Sequence, residues 1–308
     1  MILSICIPTY NRKESLEKNL KSLLPLLSSN DFEVIISDNC STDNTVEFVN
    51  TFINQYKLSN VRLFSNMSNI GPDKNFTTVL AYSSGKYSLL LGDDDLLNIS
   101  SVIKLVDILR NNDFSFVFLA EGNNSFKALK PDDMAGFLVS TGVNITFMSR
   151  MVFYTKIIQE IIESPFYYKD NLIQSYLAIH SILASSKIGP AIFSNKIFDE
   201  NGATSAENYD FYKVFVVHLF DLFSFALGTE DMAFVRKVYK QAVCSFLIKF
   251  SIILKCLRIK THIRKDSFAI LKHYCFFWFF LLPIHLVPSL FYRPVYAVRK
   301  KFKRSKNK

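Results

Sequence analysis

Tyr87-Ser88-Leu89-Leu90-Leu91 runs without a break into Gly92-Asp93-Asp94-Asp95, an apolar stretch of strand length that ends on three consecutive acids. A short apolar run closed by a turn signal reads as a strand buried on both faces. Three adjacent carboxylates at such a strand end repel one another unless something neutralises them. A divalent cation does so, since Mg²⁺ and Mn²⁺ favour carboxylate oxygen and keep positions open for substrate phosphates. The competing reading is a solvated acidic turn, with Asp94 or Asp95 near a helix start.

Working outward from this run, strand-like and helix-like segments alternate over the first 120 residues. Ile2–Ile7 is a short apolar run that reads as a buried strand stopped by Pro8. Leu16, Leu20, Leu23, Leu24 and Leu27 recur at helical steps and predict an amphipathic helix. Phe32–Ile36 is a second strand, after which Ser41 or Thr42 can cap a helix facing inward through Val46, Val49 and Ile53. Val61–Phe64, a helix through Phe76, Val79 and Leu80 ending near Gly85, a helix over Ser101–Leu109 and a strand at Phe114–Leu119 complete the series.

This alternation predicts an α/β, Rossmann-like architecture, a mostly parallel sheet flanked by helices with strand C-termini along one edge. Ligands bind outside that edge in such sheets. The polar clusters Pro8–Arg12, Asp38–Asp43 and Asp93–Asp95 all follow strand ends, so they are predicted to converge. Past residue 120 the pattern weakens: Val143–Tyr154 reads as a strand or strand pair, Asn171–Ser185 and Phe211–Leu227 as apolar helices, and Val238–Leu257 as an amphipathic helix.

Charge is divided unevenly. Residues 1–234 carry 18 Lys and Arg against 26 Asp and Glu, a net of −8, whereas 235–308 carry 18 basic residues and one acid, Asp266, a net of +17. A basic, aromatic-rich tail on an acidic body fits a phosphate-rich partner, either nucleic acid or an anionic membrane surface. The usual nucleic-acid-binding signatures are missing, which favours the membrane.

Tyr274–Tyr292 has nearly the length of a membrane span, but Pro283, His285 and Pro288 interrupt it. It is expected to lie kinked in the interface, with Trp278 at headgroup depth and Arg299–Lys308 against anionic lipid. A core helix followed by a basic end is the plainer alternative. The five cysteines follow no metal-ligand or paired spacing, and the N-terminus opens on a strand pattern instead of a leader, so a reducing compartment without secretion is expected.

Asp38, in Ser37-Asp38-Asn39-Cys40-Ser41-Thr42-Asp43, can accept from a nucleobase or ribose, or enter an Asx turn toward the next helix. Pro8-Thr9-Tyr10-Asn11-Arg12 can present backbone and side-chain groups at the first strand end. Ile5-Cys6-Ile7-Pro8-Thr9-Tyr10-Asn11-Arg12, then Ile35–Asp43, then Asn69-Ile70-Gly71 with Gly85-Lys86-Tyr87, then Leu91–Asp95 occur in order, and together they closely resemble the family 2 glycosyltransferases over about the first 110 residues. As a whole the chain is similar to bacterial enzymes that build O-antigen or capsule repeat units, with the abequosyltransferase-like group a neighbour.

The resemblance implies a GT-A fold, in which residues 1–120 form the nucleotide-sugar-binding half and 121–234 the acceptor-binding half, with 235–308 as a helical membrane-associating tail. It further implies that Pro8, Thr9, Tyr10, Asn11, Arg12, Asn69 and Gly71 line the donor site. Thr9 and Asp38 would touch the nucleoside, one of Asp93 and Asp94 the ribose, and Asp94 or Asp95 would hold Mn²⁺ or Mg²⁺ at the diphosphate. Gly92 stands where relatives often carry an acid two positions before the metal ligand, which leaves the register of the triplet open by one residue.

For the base, the resemblance points to an acid before a helix in the acceptor half: Asp170, whose other role is an N-cap, with Glu207 and Asp210 as rivals. His180 and His218 read as packing residues. The implied reaction is an inverting transfer from a nucleotide-diphosphate sugar to a saccharide, polyprenyl-linked, at the cytoplasmic face of the inner membrane. Other classes are a non-catalytic sugar-nucleotide-binding relative, a sugar nucleotidyltransferase, whose Gly-rich basic loop Pro8–Arg12 does not match, and a membrane-surface structural protein, which leaves the acidic triplet unexplained. The sequence does not specify an oligomeric state.

Overall fold

The computed structural model describes residues 1–169, 172–200 and 213–257, with backbone alone at 200 and 248–257. The chain forms two compact units, one of Met1–Phe137 with Asn144–Ala203 and one of Leu138–Val143 with Thr204–Lys308. In chain order the elements are β1 (Leu3–Thr9), α1 (Lys13–Leu27), β2 (Phe32–Asp38), α2 (Thr45–Tyr56), β3 (Val61–Ser65), α3 (Pro72–Ala81), β4 (Tyr87–Leu90), β5 (Leu96–Leu97) and α4 (Ile99–Asn111). There follow β6 (Phe116–Glu121), β7 (Ser125–Ala128), α5 (Met134–Thr141), β8 (Met151–Tyr154), α6 (Thr155–Ile162), α7 (Ile173–Leu183), β9 (Ala191–Asn195), β10 (Phe198–Glu200), α8 (Leu219–Leu227) and α9 (Met232–Leu257).

The main sheet has the order β3-β2-β1-β4-β8-β6-β9-β7. β3, β2, β1 and β4 are mutually parallel, and β6 is parallel to β9. All seven residues of β1 and of β2 are buried, as expected of strands covered on both faces. The leucines of α1 pack on this sheet through Leu16, Leu20, Leu23, Leu26 and Leu27. The α/β, mostly parallel expectation holds.

Two strands break the parallel rule. β7 pairs antiparallel with β9 at the sheet edge, and β8 runs antiparallel between β4 and β6. The reversal of β8 matters for function. Met151 at its start lies opposite Leu90 at the end of β4, so Ser149 and Arg150 arrive at the edge where β4 terminates.

Three local expectations need correction. Pro8 does not stop the first strand, because β1 continues to Thr9 and pairs Pro8 with Ser37. The backbone of Cys6 faces β4, accepting from Leu91 N at 2.9 Å, and the pairing with β4 ends there. Two residues on, Pro8 points to the same side, where the ladder has already ended and an N–H is not needed. Ser41 and Thr42 do not cap α2, whose Thr45 amide instead donates to Asp43 at 3.2 Å. The stretch expected as a strand or strand pair, Val143–Tyr154, holds one strand, Met151–Tyr154, after 3₁₀ turns at Gly142–Thr146 and Met148–Arg150.

In the second unit, α8 follows a π-helical turn at Lys213–His218. Tyr239 of α9 donates to Phe215 O at 2.7 Å and meets the rings of Phe220 and Phe223 edge-on. α9 begins six residues before the expected Val238. Among the described residues no helix is long and apolar enough to cross a membrane. The segments Tyr274–Tyr292 and Arg299–Lys308 lie outside the described residues.

Candidate active site

Thr9 and Asp38 end adjacent parallel strands in register, and Leu91 leaves β4 beside them. The three polar clusters therefore meet at one edge. Thr9 Oγ1 donates to Asp93 Oδ2 at 2.8 Å, which ties the first cluster to the third. Asn11 ties it to the second: its amide donates to Ser41 Oγ at 2.8 Å, and its Oδ1 accepts from the Thr42 amide at 2.7 Å. Asp43 accepts from the Lys13 amide at 3.0 Å, satisfying an otherwise orphaned donor at the start of α1. Asn11 at φ 52°, Cys40 at φ 66° and Asn44 at φ 62° adopt left-handed backbone in these two loops. Such conformations cost about 1 kcal/mol or more for non-glycine residues and concentrate at functional sites.

The acidic turn is held rigidly. Asp95 N donates to Gly92 O at 3.2 Å, closing the turn, and buried Asn19 of α1 donates to Gly92 O at 3.1 Å and Asp95 O at 2.8 Å. From the other side Ser149 Oγ accepts from Gly92 N at 2.8 Å and donates to the Asp95 carboxylate. A Cβ on Gly92 would stand 3.0 Å from Asp95 Oδ2 and 3.3 Å from Asp94 Oδ1 and Ser149 Oγ. The turn keeps glycine there because the neighbouring acids fill the space.

The carboxylates differ in setting. Asp93 is 4% exposed, and burial pushes its carboxyl up to about 6, although Arg12 and the Thr9 hydrogen bond pull it down. Arg12 bridges Asp93 at 3.3 Å and Asp94 at 2.6 Å, and these partners hold its guanidinium above its ordinary range against the opposing effect of burial. Asp38 is buried, its Oδ2 accepting from Ser41 N at 3.0 Å while Oδ1 has no partner. A buried carboxylate oxygen left unmet costs roughly 1–3 kcal/mol, so it points to a donor carried by a ligand.

Asn69 and Gly71 belong to the rim beside Asp38. Asn69 Oδ1 accepts from Asn39 at 2.9 Å and from Gly71 N at 2.9 Å, while Asn39 Oδ1 accepts from Asn66 at 3.1 Å and Ile70 N at 3.0 Å. Asn75 extends this chain to Ser37, donating to its carbonyl at 3.0 Å. Asparagine amides thus shape the 65–71 loop. Tyr10 is exposed at the same edge.

Asp94 and Asp95 are hard oxygen donors, but among the described residues no three His, Cys, Asp or Glu side chains gather around a point. Arg12 binds Asp93 and Asp94, and Ser149 binds Asp95. That donor set fits a Mg²⁺ or Mn²⁺ ion held by one or two carboxylates plus substrate phosphates, and does not fit an all-protein cage. Asp170, Glu207 and Asp210 lie outside the described residues. The N-cap of α7 is Leu172, which offers no side-chain cap. His180 pairs with Tyr167 O at 2.9 Å and packs edge-on against Phe166, and His218 is buried, in keeping with packing roles.

Sequence reasoning passed over Asn19, Ser149 and Arg150. Asn19 was visible in principle, as a polar residue inside the leucine stripe of α1. Nothing local marks Ser149 or Arg150, because only the reversed β8 brings them to this edge.

Residues 4–167 match the family model described as "Glycosyl transferase family 2". The abequosyltransferase RfbV of Salmonella typhimurium is 43% identical over 98 residues, which is 32% of this chain and 29% of that protein. The GalNAc(5)-diNAcBac-PP-undecaprenol beta-1,3-glucosyltransferase of Campylobacter jejuni is 32% identical over 117 residues, 38% of this chain and 37% of that one. The matched stretches thus span well under half of these curated relatives. The crystal structure of S. aureus TarS 1–349 superposes with a TM-score of 0.60 at 19% identity, covering 89% of this chain and 80% of that one, so the GT-A fold is shared.

Proposed function

The chain belongs to glycosyl transferase family 2, and from that premise we propose that it transfers a sugar from a nucleotide-diphosphate donor to a lipid-linked saccharide in bacterial surface polysaccharide synthesis. The observation that carries this reading is the meeting of Asp38, Thr9 and Asp93 at one strand edge, with Asp38 Oδ1 buried and unmet. The nucleobase N–H supplies the missing donor, and Asp93, fixed by Thr9, accepts from the ribose. Arg12 shields Asp93 and Asp94 from one another until the donor binds. Asp94 and Asp95 would hold the divalent cation, which when bound neutralises charge on the departing diphosphate. The acceptor hydroxyl loses its proton to a carboxylate as its oxygen attacks the anomeric carbon, with inversion; Asp170 is the first choice for that base and Glu207 or Asp210 the alternatives.

The acceptor is assigned by analogy with the named substrate of the Campylobacter relative and by the basic composition of residues 235–308. The same composition supports peripheral attachment at the cytoplasmic face of the membrane. UDP-, dTDP-, GDP- and CDP-sugars are to be screened by thermal unfolding with and without Mn²⁺. One donor class is expected to stabilise the wild type in a Mn²⁺-dependent manner, and Asp95→Ala to abolish the metal-dependent part. Absence of stabilisation by every donor would overturn the reading. Co-sedimentation of the full chain with anionic vesicles, lost on deleting residues 274–308, tests the tail.

A further inference from the structure

Arg150 has no role in the reading above, yet it stands beside the acidic turn. It immediately follows Ser149, whose hydroxyl holds both Gly92 and Asp95. Its Nη1 donates to Leu119 O at 3.0 Å, and its guanidinium lies 5.7 Å from the ring centroid of Phe198. Asp95 and Glu121 are close enough to act on its charge, but it forms no ion pair among the described residues. None of its nitrogens is buried without a partner.

One edge of the guanidinium is therefore anchored to the sheet by a single neutral carbonyl, and the half-buried side chain leaves no other nitrogen both sealed from solvent and unmet. Arginine stays charged even when half-buried, and its planar fork matches a phosphate in two-point geometry. A brace serving the sheet alone would ordinarily find a carboxylate or several carbonyls. Leaving the fork open beside Asp95 suits an anion that arrives with substrate.

We propose that Arg150 is a substrate-binding residue that donates to a phosphate oxygen on the Asp95 side of the acidic turn, the counterpart of Arg12 on the Asp93–Asp94 side. This rests on the glycosyltransferase reading. The phosphate belongs either to the diphosphate of the donor or to that of a lipid-linked acceptor, and both present the same chemistry to the guanidinium. Held by the Leu119 carbonyl and the Phe198 ring, Arg150 needs little reordering to meet an anion, and its partial burial strengthens the contact.

Calorimetry on the full chain tests this with UDP, GDP, uridine and guanosine in the presence of Mn²⁺, and with farnesyl diphosphate against farnesol. Arg150→Gln is expected to weaken the preferred nucleoside diphosphate about ten- to hundredfold, with its nucleoside unchanged. Loss confined to farnesyl diphosphate, with farnesol unchanged, upholds the proposal and assigns the phosphate to the acceptor. A structural brace would weaken nucleoside and nucleoside diphosphate alike, and that result overturns the proposal, as does binding of every probe within about twofold of wild type. Should Arg150→Gln fail to fold, Arg150→Lys decides: it keeps the charge without the fork and is expected to lose at least about threefold, whereas wild-type affinity would sink the idea. Asp38→Asn separates the two levels. If it loses nucleotide binding while Arg150→Gln keeps both nucleoside diphosphate and farnesyl diphosphate, the Arg150 proposal falls and the glycosyltransferase reading stands; if wild type binds no nucleotide, both fall.

Discussion

Asp38→Asn separates the stability of the site from its affinity. The amide has the shape of the carboxylate, and its oxygen can keep the 3.0 Å bond from Ser41 N. Its NH₂ then replaces Oδ1, a buried atom with no partner. In the unliganded protein an unmet acceptor is exchanged for an unmet donor, and each costs roughly 1–3 kcal/mol. The two nearly cancel, so stability should change by no more than about 1 kcal/mol, a shift of about 2–4 °C in Tm for a domain of this size. Binding should change far more. Losing a charge-assisted bond removes about 1.5–3 kcal/mol, and a nucleobase N–H would then face another donor. Affinity for the preferred nucleoside diphosphate should fall about ten- to hundredfold or more. Thermal unfolding and calorimetry on the same preparations read both quantities. If the variant instead unfolds far below wild type with its affinity kept, Asp38 is a structural Asx residue and the reasoning fails.

Asn19→Leu should loosen the acidic turn, because Asp95 O loses its Asn19 donor and Gly92 O keeps only the Asp95 amide, while the unmet Asn19 Oδ1 is removed. Urea denaturation should give a net loss of about 1–3 kcal/mol, and metal-dependent donor binding should weaken; wild-type stability would argue that the turn holds itself. Glu33 provides a pH test remote from the site. Burial alone would raise its carboxyl, but bonds from Ser4, Ser84 and Arg62 outweigh it and hold Glu33 below its ordinary value. Its stabilisation is therefore present above the unfolded value, near 4.3, and is lost as pH falls through the lower folded one. Wild type should lose its advantage over Glu33→Gln on acidification below about pH 5, and a difference constant down to pH 3 would contradict the network's charge.

The first 120 residues were legible because their signals are local and agree. Apolar runs of strand length, leucines at helical spacing and polar clusters at strand ends each predict the same edge, and Thr9, Asp38 and Asp93 meet there. The errors were directional. Pro8 reads as a stop only if both sides of a strand are assumed paired, and here one ladder ends first. Ser41 and Thr42 have capping chemistry, but Asn11, thirty positions away, uses it. Such choices between equivalent partners are made by tertiary packing.

The second half was less legible for a related reason. β8 carries four residues, Met151-Val152-Phe153-Tyr154, whose pattern states burial but not direction. Its direction decides whether Ser149 and Arg150 reach the site or the opposite edge. Antiparallel pairing with both β4 and β6 turns the start of β8 toward the acidic turn, so a hydroxyl and a guanidinium arrive with no motif to announce them. The site is thus assembled from two kinds of residue. Thr9, Asp38 and the acids are fixed by position at the ends of parallel strands, whereas Asn19, Ser149 and Arg150 come from elements that enter from either side. The first kind supplies the negative charge at the strand edge. Of the second kind, Asn19 and Ser149 hold the turn that carries three mutually repelling carboxylates, whereas Arg150 is tied to the sheet at Leu119 O.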